Sequence, residues 1–428
     1  MAKFIKLQWE PQPGSGLARR DRQGCRYEAY IPDPLTGRPI TLDGTTAADV
    51  TDADRAVTQF TLEARSLVNS EALARLLLRA EAVASSKIEG LEIGSRRLLR
   101  AQAARGLGEE PADLTALEVL NNLDAMAWAI DTLSAKKAIT SKDLLAIHAR
   151  LLAGTRLEKH GGRLRTTQNW IGGSDYNPCS ASFVPPPHDE VEALLDDLCA
   201  FCNGDDLPAI AQAAMAHAQF ETIHPFVDGN GRTGRALIHV ILRRRGLVSH
   251  VVPPVSLVLA TWSKDYIAGL TVTRYLGAPD SPEANEGLNR WIALFAGAMR
   301  RAVTDAQIYE QQVRKIQQGW RSRLGRLRSG SAAELLIDAL PGAPVLTVHS
   351  AASLISRSEQ AVNEALPRLL DAGVIAQTTV GRRNRAFEAP ELIDAFTDLE
   401  RRLASPDGHT RFSPPARPAP HRRTHLAG

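Results

Sequence analysis

The stretch of sequence that decides the fold of this chain is His224-Pro-Phe-Val-Asp-Gly-Asn-Gly-Arg-Thr-Gly-Arg235. A helix is expected to end near His224, because the proline that follows disfavours helical geometry in the residue before it. Asp228-Gly-Asn-Gly231 is typical of a turn whose glycines let backbone amides approach a ligand closely. A second helix is predicted to begin at about Gly231. Its free amides and partial positive charge then face the turn, which makes an anion-binding site.

Four side chains of this stretch suit the handling of a phosphorylated ligand. Arg232 and Arg235 lie on one side of the predicted first helical turn, where both can reach phosphate oxygens. Asp228 is a carboxylate beside that site and the usual kind of partner for Mg²⁺. His224 is the one nearby side chain whose ordinary pKa suits a general base near neutral pH. A capped loop with two solvated arginines would explain each residue alone, but the combination favours phosphoryl or nucleotidyl transfer.

At these residues the chain resembles the Fic-domain protein adenylyltransferase family, whose signature is His-x-Phe-x-Asp/Glu-Gly-Asn-Gly-Arg-x-x-Arg. Every specified position of the signature is matched, and the resemblance extends over roughly residues 60–300. It implies that His224 deprotonates a target hydroxyl and that Asp228 holds Mg²⁺. It also implies a set of nucleotide-binding residues: the loop amides and Asn230 at the α-phosphate, and the two arginines at the outer phosphates, giving Asp228, Gly229, Asn230, Gly231, Arg232 and Arg235.

A second part of the resemblance is the segment 162–187, which is similar to the flap of that family. The flap, near Ile171 and Gly172, would align a target segment by strand-like pairing, and these two residues are also counted among the nucleotide-binding residues. Phosphotransferase members replace a glycine of the anion loop with lysine, whereas Gly229 and Gly231 are both glycines here. The resemblance therefore implies AMP transfer from ATP to a Tyr, Ser or Thr hydroxyl of a target protein or of the chain itself. The alternative is a nucleotide-sensing DNA-binding regulator, and a sensor would need no general base.

Ser85, Glu89 and Gly90 form a second motif ahead of the catalytic stretch. Ser85 and Glu89 stand four residues apart, so they share one helix face, and Gly90 is a plausible helix stop. Taken alone, this is a helix end with a solvated glutamate. The Ser-x-x-x-Glu-Gly pattern is however similar to the inhibitory-helix motif of Fic proteins. By that resemblance Glu89 would pair with Arg235 and block the site of the γ-phosphate.

Composition points to a globular, mainly helical protein. Hydrophobic residues make up 44% of the 428 residues and charged residues 23%, while aromatic residues are only 5%. The formal net charge of +3 excludes a generic polyanion binder. We therefore predict a mainly α fold, with a Fic helical core, a small β-hairpin flap and a C-terminal winged helix-turn-helix domain.

The chain divides into five predicted regions. Residues 1–110 form an N-terminal region with the inhibitory helix at about 70–90, and 111–300 form the Fic catalytic core. Residues 301–330 are a polar helical connector, 331–403 a winged helix-turn-helix, and 404–428 a disordered tail. Arg382, Arg383 and Arg385 would form a basic wing that contacts DNA phosphates. Three acidic residues dilute the positive charge of the recognition helix, so DNA binding by 331–403 is left open: Glu359, Glu364 and Asp371.

The binding partners and the cellular compartment are predicted mainly from features that the sequence does not contain. There is no apolar leader and no run of about 18 apolar residues, so we expect no membrane contact and a cytoplasmic location. Four cysteines are not expected to form a disulfide framework. Cys199 and Cys202 lie in a helical run and are predicted to be buried, not to bind metal. Trp262 and Tyr266 could wall an adenine but are expected to pack in the core, and a homodimer is left open.

Overall fold

The computed structural model describes residues 1–11, 18–65, 70–249, 251–381 and 384–403. Over these residues the chain is mainly helical with two small antiparallel sheets, which confirms the predicted fold class. None of the helices in these ranges has the length and apolar character needed to cross a membrane. The predicted tail at 404–428 lies outside the described residues, and so do Arg382 and Arg383 of the predicted wing.

The N-terminal region is a hairpin followed by three helices. Strands β1 (Lys3–Trp9) and β2 (Cys25–Ile31) pair in antiparallel register, with Lys3 opposite Ile31 and Trp9 opposite Cys25. The helices that follow are α1 (Gly44–Arg65), α2 (Ser70–Ile88) and α3 (Ser95–Arg105). Leucines at helical spacing form the buried face of α2, which packs into the core of the molecule.

One expectation about the cysteines is wrong. Cys25 of β2 and Cys179 form a disulfide, although they are 154 residues apart in sequence. No local spacing pattern links them, because only the tertiary structure brings them together. Cys199 and Cys202 are free and buried on one helix, as predicted.

Five helices form the centre of the fold. They are α4 (Leu114–Trp128), which continues as a π-helical turn at Ala129–Leu133, α5 (Ser141–Leu152), α6 (Val191–Asn203), α7 (Ala209–Ile223) and α8 (Asn230–Arg244). Every residue of α7 is buried, because its alanines let the neighbouring helices approach it from all sides. The predicted catalytic stretch, residues 224–235, therefore connects α7 to α8 and includes the start of α8.

Behind this centre lie α9 (Val255–Thr261), α10 (Ser263–Val272) and the 43-residue α11 (Pro282–Leu324). Ser281 caps α11 through its hydroxyl, which accepts from Ala284 N at 3.2 Å. The predicted connector at 301–330 falls within α11 and just after it. Most of its apolar residues are buried, although Ile308 is exposed, and the Tyr309 ring packs 6.5 Å from that of Phe396.

The C-terminal region is a compact module. In chain order it contains α12 (Ala332–Ala339), β3 (Val345–Thr347), α13 (Val348–Leu354), α14 (Glu359–Asp371), β4 (Ala376–Val380), β5 (Asn384–Glu388) and α15 (Pro390–Leu403). The strands form a sheet of order β3-β5-β4. The three helices and the hairpin agree with the elements expected from the sequence, and β3 and α15 add to them. The assignment as a winged helix stays a prediction.

Candidate active site

The loop between α7 and α8 turns sharply at two residues with positive φ. His224 follows α7 with a φ of 49°, and Gly229 precedes α8 with a φ of 74°. A side chain at Gly229 would be strained, and its Cβ would lie 2.7 Å from Leu151 Cδ2. We name residues 228–231 the anion loop, because their amides stand at the N-terminus of α8 as the sequence predicts.

The side chain of Asn230 shapes this turn. Its Oδ1 accepts from Phe226 N at 2.8 Å and its Nδ2 donates to Phe226 O at 2.9 Å. His148 supports the loop from α5, since its Nε2 donates to Asp228 O at 3.0 Å and its ring stacks on Phe226 at 3.8 Å. Burial lowers the pKa of His148 to about 4, so the ring is a neutral support.

His224 is held by a neighbour that the sequence does not single out. The Asn169 amide nitrogen lies 2.8 Å from His224 Nδ1 and 3.2 Å from His224 O. Burial lowers the pKa of His224 to about 4; the charge of Glu89 raises it, and Arg165 and Arg274 lower it further. The imidazole is therefore neutral at physiological pH, which is the state that a general base needs.

Asp228 and Arg232 form an ion pair beside the anion loop. Arg232 Nη2 donates to Asp228 Oδ2 at 2.9 Å, and the Asp228 side chain is 43% exposed. Arg232 is almost fully buried, and its Nε and Nη1 lack hydrogen-bond partners among the described residues. One exposed carboxylate beside an anion site suits Mg²⁺, which takes one or two protein carboxylates together with phosphate oxygens. Within the described ranges no cluster of three or more metal-ligating side chains is assembled.

Arg235 is held by the C-terminal end of α2. Its Nε donates to Ser85 Oγ at 2.9 Å, and its Nη2 donates to Ser85 O at 2.7 Å and to Glu89 Oε1 at 2.8 Å. Burial acts to raise the pKa of Glu89, but the charge of Arg235 outweighs it and the pKa is lowered. Gly90 follows with a φ of 82°, in the turn directly after the end of α2 at Ile88. The structure therefore brings Ser85, Glu89 and Arg235 together as the sequence predicts.

The Glu89 carboxylate occupies the space directly over Gly231. A Cβ at Gly231 would lie 1.8 Å from Glu89 Oε1 and 2.6 Å from Arg235 Nη1. This space is lined by the start of α8 and by a guanidinium, which is the setting for an oxyanion. It already contains one, in the form of the glutamate.

A second carboxyl group lies behind Arg235. Glu221 Oε1 is 4.0 Å from Arg235 Nη1 and 4.0 Å from His217 Nε2, and it lacks a hydrogen-bond partner among the described residues. Burial raises the pKa of Glu221 to about 7, Arg235 lowers it and Glu89 raises it. His217 Nε2 lies 2.7 Å from the hydroxyl of Tyr266, which is buried in the core as expected.

The flap contains less strand than a hairpin usually has. Ile171 and Phe183 form one isolated antiparallel bridge, in which Ile171 N donates to Phe183 O at 2.8 Å. Ile171 and Gly172 are exposed, and the φ of Gly172 is 75°. The base of the flap is tied to the active site by Arg165, whose Nε donates to His224 O at 2.9 Å. Ile171 and Gly172 thus lie on the flap and not at the anion loop.

Asn169, His148 and Glu221 are the site residues that sequence reasoning missed. They come from the flap, from α5 and from α7, and each contacts the site through a side chain. Glu221 stands three residues before His224, so its place near the end of a buried helix was the one available signal. The other two carry no spacing relation to the catalytic stretch.

Comparison with known families places these residues in two matched regions. Residues 47–131 match the Fic/DOC family N-terminal model, and residues 138–242 match the Fic/DOC family model. The first region contains Ser85 and Glu89, and the second contains the flap and the stretch from His224 to Arg235.

The chain is also similar to named proteins. It is 34% identical over 139 residues to the protein adenylyltransferase Fic of Drosophila grimshawi, which is 32% of this chain and 27% of that protein. The Drosophila melanogaster protein of the same name is 34% identical over 139 residues, covering 32% and 26%. The match therefore spans about a quarter of the length of these curated relatives.

A solved structure shares the fold. It is a Fic family protein from Desulfovibrio desulfuricans G20, with a TM-score of 0.51 and 22% sequence identity. The superposition covers 82% of this chain and 98% of that one, so the likeness of fold extends well beyond the two matched regions.

Proposed function

We propose, from the premise that the chain belongs to the Fic/DOC family, that its site transfers AMP from ATP to a hydroxyl side chain of a protein. The observation that carries this proposal is the anion site over Gly231, where a carboxylate already sits between α8 and Arg235. A phosphate of ATP offers the same charge and the same acceptor oxygens to the same donors. The relatives named above are adenylyltransferases, which supports AMP as the transferred group.

In the proposed reaction the target hydroxyl oxygen attacks the α-phosphorus. A new P–O bond forms, the bond to the bridging oxygen breaks and pyrophosphate leaves with its electron pair. The hydroxyl proton passes to the neutral imidazole of His224, which Asn169 holds in place. The amides of the anion loop and Arg232 face the charge that develops on the phosphate oxygens.

Asp228 would hold Mg²⁺ at this site, and the ion would supply positive charge that neutralises part of the charge of the phosphates. Arg235 would bind the outer phosphates, so it can serve ATP only after Glu89 has left it. We therefore propose that Glu89 is an inhibitory residue that keeps the site switched off, with Ser85 holding the same guanidinium. The flap, at Ile171, would pair with an extended segment of the target.

Label transfer from ATP carrying the label at its α-phosphate tests this function. We compare the wild-type chain, Glu89→Gly, and Glu89→Gly combined with His224→Ala, in the presence of Mg²⁺. Label on protein in the second chain, far above the first and absent from the third, is the expected result. Label that comes only from the γ-phosphate would contradict AMP transfer in favour of phosphate transfer.

The alternative of a DNA-binding regulator finds no support in the described residues of the C-terminal module, which leave out Arg382 and Arg383. The exposed face of α14 carries Glu359, Glu364 and Asp371, which repel DNA phosphates. Arg385 remains as an exposed basic residue of β5, and its guanidinium lies 4.8 Å over the Phe387 ring. DNA binding by residues 331–403 therefore stays a prediction that the charge of this helix disfavours.

A further inference from the structure

The N-terminal hairpin of β1 and β2 is fastened to the flap at several points. Tyr30 N of β2 donates to Val184 O at 3.0 Å, so β2 is bonded to the flap as well as to β1. The Trp9 and Trp170 rings meet edge to face at 5.3 Å. Cys25 and Cys179 add a covalent link between the same two segments.

The turn after Trp170 is held by the segment that leads into β2. Ser174 Oγ donates to Asp21 Oδ1 at 2.8 Å, and Asn177 Nδ2 donates to Asp21 O at 3.1 Å. Asn177 is buried although it lies on the flap, which a surface loop would not require. The outer part of the flap therefore rests on the N-terminal hairpin, while its base is tied to His224 through Arg165.

By itself the flap has little to keep it ordered. It contains a single bridge between Ile171 and Phe183, followed by two glycines with positive φ at Gly172 and Gly173. An isolated hairpin is marginal in water, and three or more strands are needed for independent stability. Val184 gains a neighbouring strand through its bond from Tyr30 N, because β2 pairs in turn with β1. Ile171, which bridges to Phe183, is thus backed by β2 and β1 through the segment 183–184.

We propose that the N-terminal hairpin positions the flap for its target, and that the disulfide between Cys25 and Cys179 is a redox-sensitive fastening of that support. This inference rests on the proposed role of the flap in pairing with a target segment. Cys179 is exposed and Cys25 half-buried, so a reductant can reach the bond. The sequence predicts a cytoplasmic location, which is a reducing compartment. Disulfides in such compartments are usually transient and serve redox sensing, whereas structural disulfides persist in oxidising compartments.

Opening the fastening is a simple exchange. Two electrons and two protons convert the S–S bond into the thiols of Cys25 and Cys179, while dithiothreitol, as the reductant, closes to its cyclic disulfide. The contacts that remain include the Trp9–Trp170 pair, the Tyr30 backbone bond and its ring contact with Phe183, and the bonds to Asp21. They keep the flap near its position but restrain it less, so the hydrogen bonds of its amides open to solvent more often.

Thiol titration and hydrogen exchange on the full chain test this. The oxidised chain, denatured without reductant, should show two reactive thiols, from Cys199 and Cys202, and four after reduction. Reduction should speed exchange of the Ile171 and Phe183 amides on the order of tenfold and leave the amides of the anion loop unchanged. In Cys25→Ser the flap should exchange at the fast rate already, and dithiothreitol should change nothing further.

A variant that leaves both cysteines in place tests whether the other contacts of the hairpin also support the flap. Trp9→Leu should also speed flap exchange, with the disulfide intact. Four reactive thiols before reduction, or flap exchange that reduction does not alter, would overturn the proposal. Equal acceleration at the flap and the anion loop would overturn it as well, because it would indicate general loosening.

Catalysis separates this inference from the proposed function. In Glu89→Gly, reduction should lower label transfer to protein about tenfold and leave KM for ATP unchanged, since the hydrogen bonds of the flap to the loop between α7 and α8 reach residues 223–226 and, among the described residues, none goes to the anion loop. Unchanged label transfer despite faster flap exchange would overturn the role of the hairpin in target positioning. No label transfer in either redox state would contradict AMP transfer itself, while the exchange rates would still decide whether the hairpin supports the flap.

Discussion

Glu89 Oε1 lies 2.8 Å from Arg235 Nη2, and the same oxygen fills the space that a Cβ on Gly231 would enter. One carboxylate thus neutralises the guanidinium and covers the start of α8. Ser85 contributes two further bonds to Arg235 from the preceding turn of α2. If the contact is inhibitory, as proposed, it acts by occupying the phosphate site, and no change of fold is required.

Glu89→Gly should raise the rate of AMP transfer. A charge-assisted hydrogen bond contributes roughly 1.5–3 kcal/mol, so we expect an increase on the order of tenfold to a hundredfold. Initial rates of label transfer at fixed ATP measure it. Glu92→Gly is the matched control, because Glu92 is an exposed glutamate three residues further on. Equal rates in wild type and Glu89→Gly would refute the inhibitory role of Glu89.

His224→Ala should abolish transfer in the Glu89→Gly background without weakening ATP binding. The pKa of His224 is about 4 because of burial, so the neutral base is present above that pH and is lost as the pH falls through it. The plot of rate against pH should therefore show no fall near pH 6.5, the usual pKa of a histidine. In Glu89→Gly the fall in rate at acidic pH should move to still lower pH, since the charge of Glu89 raises the pKa of His224. A fall in rate near neutral pH would contradict this burial.

Glu221 should make the inhibition depend on pH. Its pKa is raised to about 7 by burial, so it is neutral below that pH and negative above it. When ionised, it repels Glu89 and competes for Arg235, around which His217, Tyr266 and Arg274 carry the other nearby charges and dipoles. The ratio of the Glu89→Gly rate to the wild-type rate should therefore fall between about pH 6 and pH 8.

Glu221→Gln removes the titrating group and is the matching variant for that measurement. The same ratio should stay constant over this pH range in the Gln chain and equal the low-pH value of the wild type. A ratio that varies with pH in both chains would assign the dependence to another group.

Gly231→Ala should weaken ATP binding and should not release the inhibited enzyme. The new methyl group would displace Glu89, but it would also fill the phosphate space between α8 and Arg235. Isothermal titration with ATP in the Glu89→Gly background should show an affinity lower by about tenfold or more. Gly297→Ala in α11 is the control, since a Cβ there meets no atom within 4 Å. Unchanged affinity would place the phosphates elsewhere.

Asn169→Ala should lower kcat about tenfold and leave KM for ATP close to that of its parent, in the Glu89→Gly background. The amide of Asn169 contacts the His224 ring and the carbonyl oxygens of residues 224 and 226, so its loss frees the imidazole to rotate. Asn169→Asp serves as a second variant of similar size. A rise in KM for ATP with unchanged kcat would show that Asn169 contacts the nucleotide instead.

The sequence by itself determined the parts of the site that lie within one or two helical turns. The anion loop, the two arginines and His224 are set by proline, glycine and helix-start preferences, which are local. The same holds for Ser85 and Glu89 on one face of α2. The mainly α class followed from the composition and from the resemblance, and the central helices α4 to α8 agree with it.

Only the tertiary structure decided which distant segments meet these parts. Asn169 reaches His224 across 55 residues, and Cys25 reaches Cys179 across 154. Glu221 becomes a buried carboxyl group beside Arg235 because α8 packs against α7. Such contacts depend on the packing of helices whose sequences are each compatible with many partners. Local propensity does not determine that packing, so the role of these residues could be identified only in the folded chain.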